Sequence, residues 1–576
     1  MAYDNVIYAD LEDSGSSNLG TRAEPYNTTA DVEANITDST QLIFTGTSPQ
    51  YLDPLNNGIA IPDTNKLLIT TDLDEMIVSG WIDLSGETFT QYGATDIWYF
   101  DLPDTNSKPG GVYYEGAMLG WIEFDTDIAT TAASIIEGTS SVDFAVEQAG
   151  YRIYVHVTGD VDPTGDDIRS TGSGAFSCVA GGTDLVIKNL IFEGYGRSAI
   201  RVANWKGFEV YDNTIRWCGG DEGFGSVVVV GSGVTVYGTT TNGRIHDNTI
   251  YEIFDSPTTL QNFDGSAHLI SNIRIDHNTI DGGALAAVEL ANWGGGVHTQ
   301  DNIEIDHNTI TGIGGGWGGI GDAANNTHGI VLTAGSTTVR IFTNIHIHDN
   351  TIDGDLSGAT GWGIRLKNAP GGANVIFERN LVTNFTTGFE LFTTVASVST
   401  LPVVRANIIT DCTTGIYHDD TISAGSATYQ WNTIRDCTTA VHIFDTNGTP
   451  DLNKNSIETA TTGVLLAGGK TVNNTYNNVF SGGTNFSGLS ADATDTEVDP
   501  LTILGAASGQ VTDSVHISPY SPLYQAGDAD TGHDYYGHPY TSASPSMGAV
   551  EHRDGGVVAK DGKVPLVAFT TVSTWT

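Results

Sequence analysis

Basic residues are scarce in this chain of 576 residues: 23 Lys and Arg stand against 69 Asp and Glu, a formal net charge of −46. Such a surface repels nucleic acid and anionic membranes, so partners bound by phosphate contacts are excluded. It also repels a polyanionic glycan unless cations or local Arg and Lys offset the field. Cysteine is nearly absent. Cys178, Cys218, Cys412 and Cys437 are too few for a disulfide framework. Proline is sparse at 17 residues, so the 70 glycines do not belong to a disordered Pro/Gly-rich chain. No apolar run approaches the ~18–20 residues of a membrane helix, and no membrane insertion is expected. The opening residues, MAYDNVIYADLEDSGSS, lack the basic, apolar, small-residue order of a secretory signal. A cytoplasmic product, a cleaved mature form or a virion protein released by lysis would each fit.

What is present is a repeat. YDNTI, HDNTI, DHNTI, DHNTI and HDNTI are followed by ERNLV, RANII, QWNTI, NKNSI and YNNVF. Their asparagines are Asn213, Asn248, Asn278, Asn308, Asn350, Asn380, Asn407, Asn432, Asn455 and Asn478, at successive gaps of 35, 30, 30, 42, 30, 27, 25, 23 and 23. The minimum near 23 is one coil of a solenoid, and the excess in early coils is loop. In NIRIDHNTI, Ile273, Ile275 and Ile280 are apolar while Arg274, Asp276 and His277 are not. Alternation of period two marks a strand with one buried face. It predicts that a carboxylate at Ile275 or Ile305 unfolds the chain and that losing Asp276 is nearly silent. A second strand follows in each coil, as in AAVEL at 286–290, HGIVL at 328–332 and WGIRL at 362–366. Its second residue is Gly or Ala, and the glycines fit a tight bend.

The asparagines are expected to form a buried ladder, each at a tight turn in the left-handed region and each bonded to its counterpart one coil on. Cys412 and Cys437, five residues after Asn407 and Asn432, should stack as thiols rather than form a disulfide. The fold class is therefore all-β, a right-handed parallel β-helix. Expected boundaries are a β-rich N-terminal region and cap over 1–170, the solenoid over 171–500, a closing segment over 501–552 and an apolar β tail over 553–576.

The Asn-centred repeat resembles that of pectate-lyase-like and related carbohydrate-active β-helix proteins over roughly 150–552. YRIYVHVTGDVDPTGDDI at 151–168 looks like a segment found ahead of such helices. Ser521, Pro522, Ala526, Gly527, Asp534, Gly537, Gly548, Ala549 and Glu551 match an ending that closes many of them, although Tyr524–Gln525 departs from it. Virus tailspikes and tail fibres share the fold. The resemblance implies a polysaccharide or surface glycan as partner, a homotrimer, and a virion-tail or extracellular location. Three readings stay open: a spike or fibre recognising a host surface glycan, with or without depolymerising it; a secreted lyase or hydrolase; and a noncatalytic structural or adhesive solenoid.

Chemistry is expected on the inserted loops, which occupy one face of adjacent coils. Glycoside hydrolysis needs two carboxyl groups about 5–9 Å apart, a spacing that neighbouring coils supply. The candidates are Asp221, Glu222, Glu289, Asp322 and Asp355. For carbohydrate binding, Trp293, Trp317 and Trp362 offer flat apolar faces, with His298 and His328 as polar partners. These indoles can equally pack their own Gly-rich loops. Arg365 and Lys367 are the best basic cluster for a lyase acting on an acidic sugar, chemistry that often uses calcium. No metal ligands are assigned and no cofactor is expected, calcium being compatible. The recurring Asp–His pairs at 246–247, 276–277, 306–307 and 348–349 are read as a solvated row of turn residues, with metal binding as the alternative.

Overall fold

A computed structural model describes most of residues 3–491, with stretches such as 122–142, 223–228, 315–326 and 355–360 excepted. Beyond 491 it describes only Thr502–Ile503 and His516–Ile517, so nearly all of the expected pieces at 501–552 and 553–576 lie outside the described residues. The strands form three long parallel sheets of 14, 13 and 13 strands. The chain divides into two compact units. One comprises Met1–Ile345, Thr351–Gly371 and Asn384–Thr386; the other comprises His346–Asn350, Gly372–Thr383 and Thr387–Thr576.

In the first unit, a representative coil carries a first-sheet strand at His268–Asp276, a second-sheet strand at Thr279–Gly283 and a third-sheet strand at Ala286–Asn292. Each coil thus has three strands, where the sequence pattern suggested two. NIRIDHNTI is not one strand, because the chain turns a corner at His277, whose φ is 56°. The left-handed residue is the one before the ladder asparagine rather than the asparagine itself: Asp212, Asp247, His277 and His307 all have positive φ.

The asparagine works through hydrogen bonds. The Asn278 side-chain amide and backbone N–H both donate to Asn308 Oδ1 at 3.0 Å, and the same amide donates to the Ile245 carbonyl at 3.0 Å. The polar groups of a buried corner are thereby satisfied. A second, exposed ladder runs on the first sheet, where Asn302 donates to Asn272 and Asn272 to Asn242. Between the ladders, Ile245, Ile275 and Ile305 stack in register and are completely buried. Gly329 keeps its bend open by close approach, since a Cβ there would lie 2.4 Å from Ile352 Cγ2.

The parallel ladder begins well before the expected 171. Asn5–Ala9, Thr40–Phe44 and Thr64–Thr71 are already first-sheet strands, and Leu67–Ile69 pairs directly with Leu185–Ile187. The mostly antiparallel strands from Trp81–Asp83 to Ile168–Thr171 are therefore an insertion between two adjacent coils, not a cap. It has its own core of Leu84, Phe89, Leu102, Val112, Ile153, Val155 and Ile168, packed with Phe254 of the solenoid. These first coils lack the Asn signature, which is why the repeat did not show them.

The row of Asp–His pairs is only half solvated: Asp247, His277 and His307 reach solvent, and the other member of each of those pairs does not. Asp276 and Asp306 are completely buried. Arg244 from the preceding coil grips Asp276, with Nε–Oδ1 at 2.8 Å and Nη2–Oδ2 at 2.5 Å. Arg274 grips Asp306 in the same way at 2.8 and 2.6 Å. The guanidinium planes cover what the alternation leaves facing outward. Burial alone would raise the Asp276 carboxyl, but its bonds to Arg244 and His277 and the charges of Arg274 and Arg244 outweigh burial and hold it below the usual range.

In the second unit, a coil reads Val403–Arg405, Ile408–Thr410 and Thr414–Asp420. Its ladder links Asn350, Asn380, Asn407, Asn432 and Asn455. The next rung is Asn477 rather than Asn478, which instead opens the strand Asn478–Phe480. Cys412 and Cys437 are free, buried and one coil apart, as expected of stacked thiols.

Candidate functional site

The outer face of the third sheet in the first unit collects most of the described candidates. Thr259, Glu289, Val331 and Arg365 follow one another in register on successive coils. All four are buried although they point away from the core, whose own column is Leu260, Leu290, Leu332 and Leu366. An outward face this well covered is where polar groups can be desolvated and still reach a ligand.

Glu289 accepts a hydrogen bond from Thr259 Oγ1 at 2.9 Å and one from the Trp293 side chain. Burial raises its carboxyl, and these two donors partly offset that by favouring the anion. Asp255, at the corner that leads into the strand Thr258–Asn262, is close enough for the two carboxyls to interact. Burial and the Glu289 charge push Asp255 up to about 8, against weaker stabilisation by Ser256 and the Gly231 backbone. Burial thus favours the neutral acid at both carboxyls, and the Glu289 charge disfavours a second negative charge on Asp255, so the two titrate as a pair. Asp255 is not among the carboxyls that the sequence singled out. The available signal is register: the Leu285 N–H bonds the Asp255 carbonyl, so the next coil carries leucine at this corner.

Two coils beyond Glu289, the Arg365 guanidinium lies 3.9 Å from the Trp362 ring centroid. His328 packs on the same ring at 5.0 Å. Burial, with Arg365 and Lys367 adding repulsion, holds His328 well below its ordinary value, so it stays neutral. Lys367 is in register with Thr333 at the far end of the strand. The face is therefore acidic at Asp255–Glu289 and basic at Arg365–Lys367.

The remaining candidates are placed differently. Trp293 is exposed and directly follows the strand Ala286–Asn292, whereas Trp362 is in register with Ala286 at the opening of that strand. The two indoles thus stand at opposite ends of the sheet, on the order of 20 Å apart along the strand direction, and do not line one wall. His298 is not on this face. It opens the first-sheet strand His298–Asp306, is completely buried, and its Nε2 bonds the Asp264 carbonyl at 3.1 Å. Asp221 and Glu222 form a short strand paired antiparallel with Val229–Val230. Trp317, Asp322 and Asp355 lie outside the described residues.

Residues 155–352 match the family described as the right-handed β-helix region. The chain is a right-handed parallel β-helix. Residues 345–493 of this β-helix match a second family, described as a periplasmic copper-binding protein (NosD). Among solved structures it is similar to XylC in complex with xylose, at 12% identity over 96% of this chain and 98% of that one, with a TM-score of 0.50. Pectate lyase Pel9A gives 12% identity, the same coverages and a TM-score of 0.39. A tailspike protein of E. coli bacteriophage HK620, in complex with a pentasaccharide, gives 11% identity over 80% of this chain and 74% of that one, with a TM-score of 0.34. At such identities the likeness is one of fold. No curated protein sequence matches the β-helix.

Among the described residues of 345–493, His346 and His348 belong to a group whose ligand atoms lie within 4.8 Å of one another, as a metal site requires. His346 and His348 lie close, with ring centroids 4.0 Å apart, but the Arg379 guanidinium sits 3.4 Å from His348 Nδ1 and opposes a bound cation. His418 is buried against the Tyr429 hydroxyl, and the Cys412 and Cys437 thiols donate to the carbonyls of Thr410 and Arg435.

Proposed function

We propose that this β-helix binds and cleaves a polysaccharide on the outer face of its third sheet, with Asp255 and Glu289 as the working carboxyls. The observation that carries this reading is the meeting of two carboxyls from adjacent coils, the half-buried Asp255 and the buried Glu289, both shifted towards the neutral acid. Glycoside hydrolysis asks for two such carboxyls, one to give a proton and one to act as the anion. Asp255 gives its proton to the glycosidic oxygen as the bond to the anomeric carbon breaks. Glu289 faces the developing oxocarbenium charge or takes a proton from the water that adds to that carbon. Trp293 offers a flat apolar face beside Glu289, and Arg365 and Lys367 extend the site by two coils.

The experiment is release of reducing ends from a panel of neutral and acidic polysaccharides, comparing wild type with Asp255→Asn and Glu289→Gln. Loss of activity in both variants supports the assignment. Full activity in either overturns it. Formation of an unsaturated, ultraviolet-absorbing product would shift the reading to a lyase centred on Arg365 and Lys367.

The setting we propose is a tailspike-type protein that recognises a host surface polysaccharide outside the cell. The acidic surface, which suits neither membrane nor nucleic acid, supports it. Sedimentation tests it: a stable trimer supports a spike, and a monomer favours a secreted hydrolase.

A further inference from the structure

At the ends of successive second-sheet strands in the first unit, the chain passes through a left-handed residue. Down this column stand Gly194, Trp217, Glu252, Gly282 and Gly312, with φ of 75°, 55°, 50°, 73° and 63°. They are neighbours on successive coils: the Gly194 N–H bonds the Trp217 carbonyl, and Trp217 faces Glu252 between the pairs Arg216–Tyr251 and Cys218–Ile253. Glycine takes this backbone freely, whereas a residue as bulky as tryptophan is strained by it. Such strain persists only where the surroundings hold it, and it gathers at functional sites.

Trp217 is held in an aromatic cluster that the solenoid shares with the insertion. Its ring lies 5.2 Å from that of Tyr113, on the insertion strand Val112–Tyr114, and 6.3 Å from that of Tyr251 on the next coil. The buried Trp81 closes the back of the cluster, 5.8 Å from Tyr113 and 6.4 Å from Trp217. Tyr113, Trp217 and Tyr251 are each half-buried and keep part of their surface in solvent. Polar groups are fixed around them. The Arg216 guanidinium lies 4.3 Å from the Trp217 ring centroid, and its Nε donates to Glu193 Oε2 and its Nη1 to the Tyr251 hydroxyl, both at 2.9 Å. Trp217 Nε1 donates to Glu252. Arg169 lies 5.3 Å from the Tyr113 ring centroid and grips Asp167 with two hydrogen bonds.

Each of these cations has its own carboxylate, so the cluster stays close to neutral in a chain of net charge −46. An anionic ligand would have to draw Arg216 or Arg169 away from its partner. Flat rings edged by fixed donors and acceptors suit a ligand with an apolar face and a hydroxylated rim, which is the form of an uncharged pyranose. We propose that Tyr113, Trp217 and Tyr251 form a binding platform for a neutral hexopyranose chain, with Arg216 and Glu252 bonding its hydroxyls. The strand Thr249–Ile253 leads into the corner that carries Asp255, so the platform stands one corner away from the carboxyl pair and outside the third-sheet face. It holds glycan without cleaving it, and does not depend on the roles of Asp255 and Glu289.

The test is calorimetric titration of the full chain carrying Glu289→Gln, so that no ligand is consumed. The probes are cellohexaose, mannohexaose and maltohexaose, with hexagalacturonate as the acidic comparison. At least one neutral hexasaccharide should bind, and adding Trp217→Gly should weaken it by about tenfold or more, the weight of a stacked ring. Glycine is what Gly194, Gly282 and Gly312 supply in this column, so the variant suits the backbone. Tyr251→Ala removes a ring that meets Trp217 edge-on, at 81°, and should also weaken binding while the melting temperature holds; it decides the question if Trp217→Gly does not fold. With Glu289 intact, Trp217→Gly should cleave short substrates as the wild type does, so the platform and the carboxyl assignment fail separately. The platform is overturned if no neutral sugar binds, if both variants bind as before, or if hexagalacturonate binds more tightly through the same rings. Self-association of the chain that either variant abolishes would also overturn it.

Discussion

Asp276 and Asp255 sit in the same unit, both beside a strand end, and their chemistry is opposite. Asp276 is the more buried, yet its carboxyl is held below the ordinary range, because a guanidinium and an imidazole meet it. Asp255 is pushed up to about 8, by burial first and then by the charge of its neighbour Glu289, with no cation to offset them. Burial opposes ionisation in both places, and the partner decides the sign. The first arrangement fastens one coil to the next. The second leaves two carboxyls facing each other with no cation among the causes of their shifts, an arrangement that structural ion pairs do not need.

The largest effect tests what a partner is worth. Ile305→Asp puts a carboxylate into the completely buried isoleucine column, and should unfold the protein, at a cost of several kcal/mol. Circular dichroism and melting check it, and a folded variant with a normal melting temperature would mean that the Ile245–Ile275–Ile305 column is misassigned.

Next comes catalysis. Glu289→Gln and Asp255→Asn should lower glycan cleavage by about 10²–10⁴-fold, the usual weight of a general acid or base, while leaving the fold intact. Asp276→Asn should do the reverse, leaving turnover unchanged and destabilising the chain by about 2 kcal/mol, as for a lost hydrogen bond to a charged group. This replaces the expectation, from alternation alone, that Asp276 is dispensable.

The pH profiles of stability should separate the two sites further. The depressed Asp276 contributes stability that is full above the unfolded carboxylate range near pH 4 and is lost as pH falls below it. The raised Asp255 works the other way. Its contribution is full below about pH 4 and is lost as pH climbs through about 8, since the unfolded chain ionises freely while the folded one resists. Asp276→Asn should therefore flatten the acid limb and Asp255→Asn the alkaline limb. Activity of the wild type should also fall above about pH 8, when Asp255 no longer holds its proton. Denaturation midpoints across pH decide this, and identical limbs in the two variants would erase the distinction.

The repeat made the solenoid legible because ladder asparagines must satisfy a buried corner, and few residues substitute for them. It could not show that His277 bends the strand, since a positive φ at histidine leaves no mark in an apolar–polar alternation. It also missed the coils before 171, where the corner lacks asparagine and an insertion with its own core separates Thr64–Thr71 from the strand it pairs with. Glu289 could be singled out from its strand position. Asp255 could not, because its role depends on a neighbour 34 positions away in sequence. The buried state of Asp276 was hidden for a similar reason: the residue covering it is Arg244, on the preceding coil.

The smallest expected effect concerns the indoles, and it sharpens the comparison most finely. Trp293 hydrogen-bonds Glu289 and remains exposed, so it joins the carboxyl pair to the surface a sugar would cover. Trp362 lies under the Arg365 guanidinium and against His328, at the other end of the strand row. If the glycan is held at the carboxyl pair, Trp293→Ala should weaken binding by about 1–3 kcal/mol, the range for a large apolar side chain taken from water. It should also change the pH profile of cleavage, because Glu289 loses a donor that stabilises its anion. Trp293→Phe should restore part of the binding through its ring, but not the profile, since phenylalanine has no N–H. Trp362→Ala should leave the profile untouched and act only through the packing of Arg365. A glycan titration followed by tryptophan fluorescence, together with the pH dependence of cleavage in the three variants, separates these outcomes. If Trp362→Ala moves the profile and Trp293→Ala does not, the working centre lies at the basic end of the face instead.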